Sequence, residues 1–278
     1  MANQPDPKTT VGYGKFVAAA YSMFQPGVLN PPANCDFPQG YQLLATIQMT
    51  DFFGEDTTRQ FYGFIAQGET NPLEIVIALR GTEDLMEWWD DFHFLPTPFL
   101  QVSGGGNVAT GFLDIYNTFG IMTPQQLEAE SAPSKNFASD VAQILQEKTG
   151  ISDLSEIHAI AVGHSLGGAL TTLYALDIAS NNGLKPDTYT FASPRVGDDT
   201  FKQCFDSHVP FSWRIYNHYD IVTDFPKDPF DNYAHVEREY RVGSDAVRWS
   251  ISCEHALNTY LFLVDPQEVH LDPACQSK

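Results

Sequence analysis

Apolar residues recur along this chain with the periods of both strands and helices. Three apolar runs have the length of a strand, and three longer stretches place apolar residues at helical spacing. The strand-like runs lie at 75–79, 155–162 and 211–217, and the helical stretches at 11–24, 168–179 and 256–264. The second strand-like run is followed by a sharp turn and a helix, which is predicted to end at the stop signal in 181–183.

The turn within 161–170 is the most informative part of this pattern, because it surrounds one serine with small residues. Gly163 and Gly167 flank Ser165 in a Gly-X-Ser-X-Gly arrangement. Glycine has no Cβ, so strand and helix can approach closely and force the serine onto a strained turn with an exposed hydroxyl. The backbone N–H of Leu166 then points to where an oxyanion forms. This predicts a serine that forms acyl esters; the alternative is an ordinary glycine-rich turn.

A serine nucleophile needs a base and an orienting acid, and in this arrangement they follow it in the order acid, then histidine. The strand predicted at 211–217 is followed directly by Asp220, which is the predicted acid. Asp224 lies one turn further on and is the alternative, although the Phe-Pro pair after it indicates an exit loop. A solvated loop carboxylate is the other interpretation of Asp220, since the chain holds 35 acidic residues.

Two histidines after Asp220 are candidates for the base. His235 lies in a segment, 233–242, that alternates like a strand, which predicts a position on one side of a sheet edge. His255 directly precedes the apolar helix predicted at 256–264, and a histidine there can reach over the end of the sheet. His255 is therefore the predicted base, and His164, inside the turn, is expected to point away from the nucleophile.

Six sequence blocks in a fixed order resemble the class 3 lipase family, the group of fungal-type triacylglycerol lipases. The resemblance extends over about residues 13–264, and its most specific parts are Arg-Gly-Thr at 80–82 and Gly-His-Ser-Leu-Gly at 163–167. The chain departs from the family at Thr223, where a proline is usual, a difference that concerns the loop path and not the acid. The six blocks are 75–82, 108–116, 163–169, 190–197, 214–222 and 255–260.

The resemblance implies a single domain over residues 1–278 with an α/β-hydrolase-type fold: a mostly parallel central sheet flanked by helices, with a short helical lid. It assigns Ser165, Asp220 and His255 as a catalytic triad. It also assigns Thr82 to the oxyanion hole, through its backbone N–H and hydroxyl, with Leu166 as the second donor. A residue that only caps a local turn is the alternative for Thr82.

The resemblance also places the lid at about 83–95. Leu85, Trp88, Trp89 and Phe92 can share one helical face there, with Met86 at its margin and acidic residues elsewhere. Such a lid would hide apolar surface when closed and present it to lipid when open. A helix that packs on the core is the alternative. By resemblance only, Asp91 is expected to orient the Thr82 hydroxyl, and the aromatic content of the segment favours a lipid ester.

The four cysteines fit no metal-binding spacing. Fungal relatives link the regions that hold Cys35 and Cys275, so the resemblance implies a disulfide between these two residues. Cys204 and Cys253 are then expected to be free thiols. The proposed chemistry needs no metal and no cofactor.

The formal net charge of -20 disfavours nucleic acid and anionic membrane surfaces as partners. Binding to a lipid–water interface would then depend on apolar contact. No stretch approaches the ~20 apolar residues of a membrane helix, and no signal peptide is visible, so secretion and a cytoplasmic location both stay open. The oligomeric state is not indicated.

These features predict a serine hydrolase that cleaves lipid esters, with triacylglycerol as the first candidate substrate. A phospholipase, or a feruloyl or short-chain esterase of the same fold, is the alternative. A non-catalytic lipid-binding protein and an acyltransferase are further hypotheses, since a fold does not determine a function.

Overall fold

The computed structural model describes residues 4–50, 58–82, 94–130, 132–227, 233–236 and 238–277. Within these ranges the chain forms ten strands, of which eight belong to one sheet. The strands are β1 (Tyr41–Thr50), β2 (Arg59–Gly68), β3 (Glu74–Leu79), β4 (Pro96–Pro98), β5 (Asn107–Ala109), β6 (Gly120–Met122), β7 (His158–His164), β8 (Asp187–Phe191), β9 (Ser212–Asn217) and β10 (Glu239–Val242).

The eight-stranded sheet among the described residues has the order β10-β9-β8-β7-β3-β2-β1-β6. The pairs from β3 through β10 are parallel, and β2, β1 and β6 extend the sheet with antiparallel pairs. This is the mostly parallel α/β sheet that the family resemblance implies. Because the carboxyl ends of parallel strands meet at one edge, residues that follow β3, β7 and β9 come together there.

Helices cover both faces of the sheet. α1 and α7 pack on one face, while α2, α3, α4 and α5 pack on the other, so the core consists of two apolar layers. Strand β7 contributes to both layers, with Val162 toward α1 and Ala161 toward α4, which explains its continuous apolar sequence. The helices are α1 (Pro7–Met23), α2 (Thr110–Tyr116), α3 (Phe137–Thr149), α4 (Leu166–Asn181), α5 (Asp199–His208), α6 (Ile251–His255) and α7 (Leu257–Val264).

The helix after the serine differs from a simple amphipathic helix. α4 ends at Asn181, as predicted, but its residues are buried from Leu166 through Ala179 on every side. The helix is enclosed by the sheet and by α2, α3 and α5. Even Asp177 is buried, and its carboxylate accepts hydrogen bonds from the Tyr116 hydroxyl at 2.7 Å and the Asn181 amide at 2.7 Å.

The segment around His235 forms less strand than its alternating pattern predicts. Ala234 makes only an isolated antiparallel bridge with Gly197, and β10 begins at Glu239. The alternation therefore marks a true strand only in its second half, where β10 pairs in parallel with β9.

The expected disulfide between Cys35 and Cys275 is wrong. Cys275 is bonded to Cys253, across a Cα–Cα distance of 5.2 Å, while Cys35 is a free, exposed thiol and Cys204 is a free, partly buried one. The C-terminal segment lies along residues 246–248, where the Arg248 N–H donates to the Cys275 carbonyl at 2.7 Å. This contact brings Cys275 to α6 rather than to the loop after α1.

No helix in the described ranges is both long enough and apolar enough to span a bilayer.

Candidate active site

Ser165 lies on the sharp turn between β7 and α4, with φ 57° and ψ −126°. Non-glycine residues rarely adopt a positive φ, so the turn is strained. Two glycines make it sterically feasible. A Cβ on Gly163 would lie 2.3 Å from the Gly167 carbonyl oxygen, and a Cβ on Gly167 would lie 2.3 Å from the Arg80 carbonyl oxygen. Strand, turn and helix therefore approach one another closely, as the sequence pattern predicts.

Leu166, a predicted oxyanion donor, is the first residue of α4. The first N–H groups of a helix have no carbonyl partner within the helix, and the helix dipole favours negative charge there. The N–H of Leu166 is therefore of the type that can accept a developing oxyanion beside Ser165.

The turn that follows β3 passes directly against the serine. A Cβ on Gly81 would lie 2.9 Å from the Ser165 Cβ, which puts the neighbouring Thr82 beside the nucleophile. The Arg80 guanidinium donates to the Gly81 carbonyl at 2.8 Å through Nη1 and to the Phe61 carbonyl at 3.1 Å through Nε. In a trans peptide the C=O and the next N–H point in opposite directions. Holding the Gly81 carbonyl therefore also orients the Thr82 N–H.

The predicted acid and base are in direct contact. His255 Nδ1 lies 2.7 Å from Asp220 Oδ2, and both side chains are buried. Asp220 also caps a 3-10 turn, since its Oδ1 accepts from the Val222 N–H at 3.0 Å. Among the described residues neither His255 Nε2 nor Ser165 Oγ has a hydrogen-bond partner. The nitrogen that would act as base and the hydroxyl that would act as nucleophile are thus both uncommitted.

Tyr260 also holds the acid, through the same carboxylate oxygen that contacts His255. Its hydroxyl donates to Asp220 Oδ2 at 2.8 Å and accepts from the Asn217 N–H at 3.0 Å. Burial and the nearby Asp220 carboxylate raise the pKa of Tyr260 well above its usual value, so the hydroxyl stays a donor. The Asn217 amide in turn donates to the Glu254 carboxylate at 2.6 Å, which ties β9 to α6.

The structure separates the alternatives at this site. Asp224 is exposed, whereas Asp220 contacts His255. His235 interacts with the Thr223 backbone, and burial followed by the nearby Arg214 lowers the pKa of His235 to about 3. At the position where the family usually has proline, the Thr223 hydroxyl donates to the Asp220 carbonyl at 2.9 Å, so this departure supports the acid-bearing turn.

The predicted lid residues Leu85, Met86, Trp88, Trp89, Asp91 and Phe92 lie outside the described residues. The chain that follows them is described from Phe94, whose ring packs edge-on against Phe112 with centroids 6.3 Å apart. Across the described residues, no group of three or more His, Cys, Asp or Glu side chains is arranged to hold a metal ion.

Sequence reasoning assigned no supporting role to Arg80 or to Tyr260. Arg80 had a visible signal, because it is a charged residue directly after an apolar strand, and in the structure it is only 2% exposed. Tyr260 had none, because it lies in an apolar helical stretch in which any large residue fits the pattern.

The known proteins to which this chain is similar include lipases and phospholipases. The family described as "Lipase (class 3)" matches residues 76–230. The rice protein Phospholipase A1-II 7 (Oryza sativa subsp. indica) is 33% identical over 177 residues, which is 55% of this chain and 41% of the rice protein. The chain therefore spans about two fifths of this curated relative.

Two solved structures are also similar to this chain. The Rhizomucor miehei triacylglyceride lipase is 26% identical with a TM-score of 0.62, over 84% of this chain and 79% of that one. A triacylglycerol lipase described as having a serine protease triad as its catalytic centre is 26% identical, also with a TM-score of 0.62. That match covers 86% of this chain and 80% of the lipase.

Proposed function

Because the chain belongs to the class 3 lipase family, we propose that it hydrolyses carboxylic esters of lipids through Ser165, His255 and Asp220. The observation that carries this proposal is the contact of 2.7 Å between His255 Nδ1 and Asp220 Oδ2. This contact lies at the carboxyl-terminal ends of the parallel strands, where Ser165 lies on a strained turn. A nucleophile, a base and an acid that orients the base are the minimum set for acyl transfer through a serine ester.

In the proposed first half-reaction, His255 Nε2 removes the Ser165 proton while Oγ attacks the ester carbonyl. Asp220 keeps the proton on His255 Nδ1 and stabilises the imidazolium that forms. His255 then protonates the leaving alcohol, and an acyl-Ser165 ester remains. In the second half-reaction His255 activates water, which attacks the ester and releases the acid.

The oxyanion formed in both half-reactions is proposed to bind the backbone N–H groups of Thr82 and Leu166. The Arg80–Gly81 hydrogen bond and the start of α4 support these roles, because they preorganise the two donors before any charge develops. Loss of one such donor typically costs ~10²–10³-fold in kcat.

Triacylglycerol is the proposed substrate class. The apolar residues of 83–95 support a lipid ester, as does the likeness to two solved structures of triacylglycerol-cleaving lipases at 26% identity. Phospholipase A1 activity is the second candidate, favoured by the 33% identity to the rice phospholipase. A lipid–water interface is then the proposed partner, bound by apolar contact because the net charge is -20.

The test compares release of fatty acid from emulsified triacylglycerol, from phosphatidylcholine vesicles, and from p-nitrophenyl esters of acetate through palmitate. Ser165→Ala should lower every measured rate by at least ~10³-fold. Ser180→Ala, in the same helix, is the matched control and should retain activity, since Ser180 Oγ has no hydrogen-bond partner among the described residues. A serine-directed phosphonate should label the parent chain and not Ser165→Ala.

The outcomes separate the hypotheses. Preference for emulsified triacylglycerol supports the proposed substrate class, and preference for phosphatidylcholine vesicles favours the phospholipase. Preference for soluble short esters would indicate an esterase. A parent chain that neither hydrolyses these esters nor reacts with the phosphonate would refute the proposed chemistry and favour a lipid-binding protein.

A further inference from the structure

One tyrosine of the N-terminal helix connects two parts of the reaction centre that lie far apart in sequence. The Gly81 N–H donates to the Tyr21 hydroxyl oxygen at 2.8 Å, and the same hydroxyl lies 2.8 Å from His164 Nδ1. On the other side of the ring, His164 Nε2 lies 2.8 Å from the His255 carbonyl oxygen. Three hydrogen bonds thus run in series from the turn before Thr82 to the backbone of the base.

The direction of every proton in this series follows from the groups at its ends. A carbonyl oxygen only accepts, so His164 Nε2 carries a proton and donates to His255. Burial lowers the pKa of His164 to about 3, so the ring is neutral at ordinary pH and its Nδ1 has no proton. Nδ1 must therefore accept from the Tyr21 hydroxyl, whose oxygen accepts from Gly81.

From this geometry we propose that Tyr21 is a positioning residue. It directly holds the turn at Gly81, which precedes the proposed oxyanion donor Thr82, and it holds the base His255 through His164. The proposal rests on the function proposed above, because it concerns the same Ser165 chemistry. It assigns a role to a residue that contacts neither the nucleophile nor the acid in the hydrogen bonds described.

The proposed role depends on the tautomer of His164. Without the Tyr21 hydroxyl, Nδ1 loses its donor, so only the bond to the His255 carbonyl still favours the proton on Nε2, and part of the molecules can adopt the other tautomer. In the other tautomer the Nε2 lone pair would face the lone pairs of the His255 carbonyl at 2.8 Å, and the two would repel each other. His255 would then shift, and the Gly81 N–H would lose its acceptor at the same time.

Both groups lie in places where small displacements affect the rate. A Cβ on Gly81 would be only 2.9 Å from the Ser165 Cβ, and the rings of His164 and His255 are 4.9 Å apart. Misplacement of a reacting group by about 1 Å can cost ~10²-fold in rate. Substrate contacts do not change, so the effect should fall on kcat rather than on KM.

The test uses the full chain with Tyr21→Phe and with Tyr13→Phe as the matched control. Tyr13 is on the same helix, half-buried, and its ring packs on Tyr189 with centroids 4.9 Å apart. We expect Tyr21→Phe to lower kcat and the rate of phosphonate inactivation roughly ten- to hundredfold, with KM within about twofold. Tyr13→Phe should leave both rates near those of the parent chain.

A second variant, His164→Gln, separates positioning from folding. The glutamine amide can donate to the His255 carbonyl without any choice of tautomer, so in this background Tyr21→Phe should cost only the part of the loss that comes from the Gly81 N–H. The ¹⁵N shifts of His164 should report a proton on Nε2 in the parent chain and on Nδ1, in part, in Tyr21→Phe. This readout does not depend on activity.

The outcomes distinguish failure of this inference from failure of the proposed function. A parent chain that the phosphonate does not label would refute the function. If the parent chain is labelled, the inference is overturned by equal rates in Tyr21→Phe and Tyr13→Phe. A loss confined to KM, or a full loss that persists in the His164→Gln background, would overturn it as well.

Discussion

The nucleophile and its acid–base pair lie at the same edge of the sheet, but they are held in place by different means. Ser165 is positioned by backbone shape, since Gly163 and Gly167 let the strand and helix approach to distances that no Cβ would permit. Asp220 and His255 are positioned by side-chain hydrogen bonds. The position of the nucleophile is therefore determined by steric crowding. The position of the acid–base pair is determined by polar contacts and by the Cys253–Cys275 disulfide.

The contacts that hold the two regions also come from different parts of the chain. The crowding at Ser165 involves β3, β7 and α4, which are strands and a helix at the centre of the sheet. The acid–base pair depends on the C-terminal part of the chain, through Tyr260 and through the disulfide beside His255. This difference predicts that one added methyl group in the first region strongly lowers stability and activity. Removal of a single contact in the second region should have a smaller effect.

The largest effect is expected from Gly167→Ala, which tests the steric region directly. The added methyl would lie 2.3 Å from the Arg80 carbonyl oxygen and 2.6 Å from the Leu79 carbonyl oxygen, and neither backbone group can move away easily. We expect a loss of about 3 kcal/mol or more in unfolding free energy and at least ~10²-fold in kcat/KM. Denaturant unfolding and ester hydrolysis measure the two quantities.

Gly12→Ala is the matched control for Gly167→Ala. Gly12 lies within α1, and a Cβ there would meet nothing within 4 Å. It should stabilise the chain by ~0.5–1 kcal/mol, because alanine is the better helix former. If Gly167→Ala folded and reacted like the parent chain, the sharp turn of residues 163–167 that carries Ser165, which we call the elbow, would not depend on crowding.

The sequence predicts the elbow well because the contact between Gly163 and Gly167 is local. Strand, turn and helix all lie within residues 158–181, although the contacts of Gly167 with the Leu79 and Arg80 carbonyl oxygens come from a distant strand. The contacts that hold the acid–base pair are not local, because Tyr260 contacts an acid 40 residues earlier and Cys253 pairs with a residue 22 positions later. A sequence pattern can indicate an acid and a base, but not which distant side chains hold them.

The next largest effect is expected from loss of the disulfide near the acid–base pair. Cys253, two residues before His255, crosslinks α6 to Cys275 in the C-terminal segment. Closing a loop of 22 residues stabilises a fold by about 3 kcal/mol in the chain-entropy model. Cys275→Ser should therefore lower the unfolding temperature by roughly 5–10 °C. Thermal unfolding with and without reductant measures this effect.

Cys204→Ser is the control for the crosslink, because Cys204 is a free and only partly buried thiol. Reductant should lower the unfolding temperature of the parent chain and of Cys204→Ser alike, and leave that of Cys275→Ser unchanged. Equal unfolding temperatures for the parent chain and Cys275→Ser would show that the crosslink contributes nothing to this region.

Tyr260→Phe tests the polar support of the acid without changing the shape of the core. It removes the donor to Asp220 and leaves the buried Asn217 N–H without its acceptor. A buried unsatisfied group typically costs about 1–3 kcal/mol, so we expect a loss of ~2 kcal/mol in unfolding free energy. The rate of phosphonate inactivation should also fall, because Asp220 can then rotate. A Tyr260→Phe variant as stable as the parent chain would contradict this view of the acid.

The effect that is smallest per pH unit compares the two regions by pH, since each contains one buried neutral histidine. Burial lowers the pKa of His164, beside the elbow, and of His235, behind the acid loop, to about 3 in both cases. An unfolded histidine titrates near 6.5. Between these values the unfolded chain binds more protons than the folded one, so stability is complete above about pH 6.5 and is lost as the pH falls.

Each of these histidines should therefore contribute about 1.4 kcal/mol of lost stability per pH unit between pH 6 and pH 4. Buried acids with raised pKa values, such as Asp177 and Glu254, act in the opposite direction. The informative quantity is thus the difference in slope between parent and variant. His164→Gln and His235→Gln should each reduce the slope by one proton, measured by denaturant unfolding across this range. If only His164→Gln did so, protonation at the elbow alone would govern acid stability, and the two regions would differ in this property too.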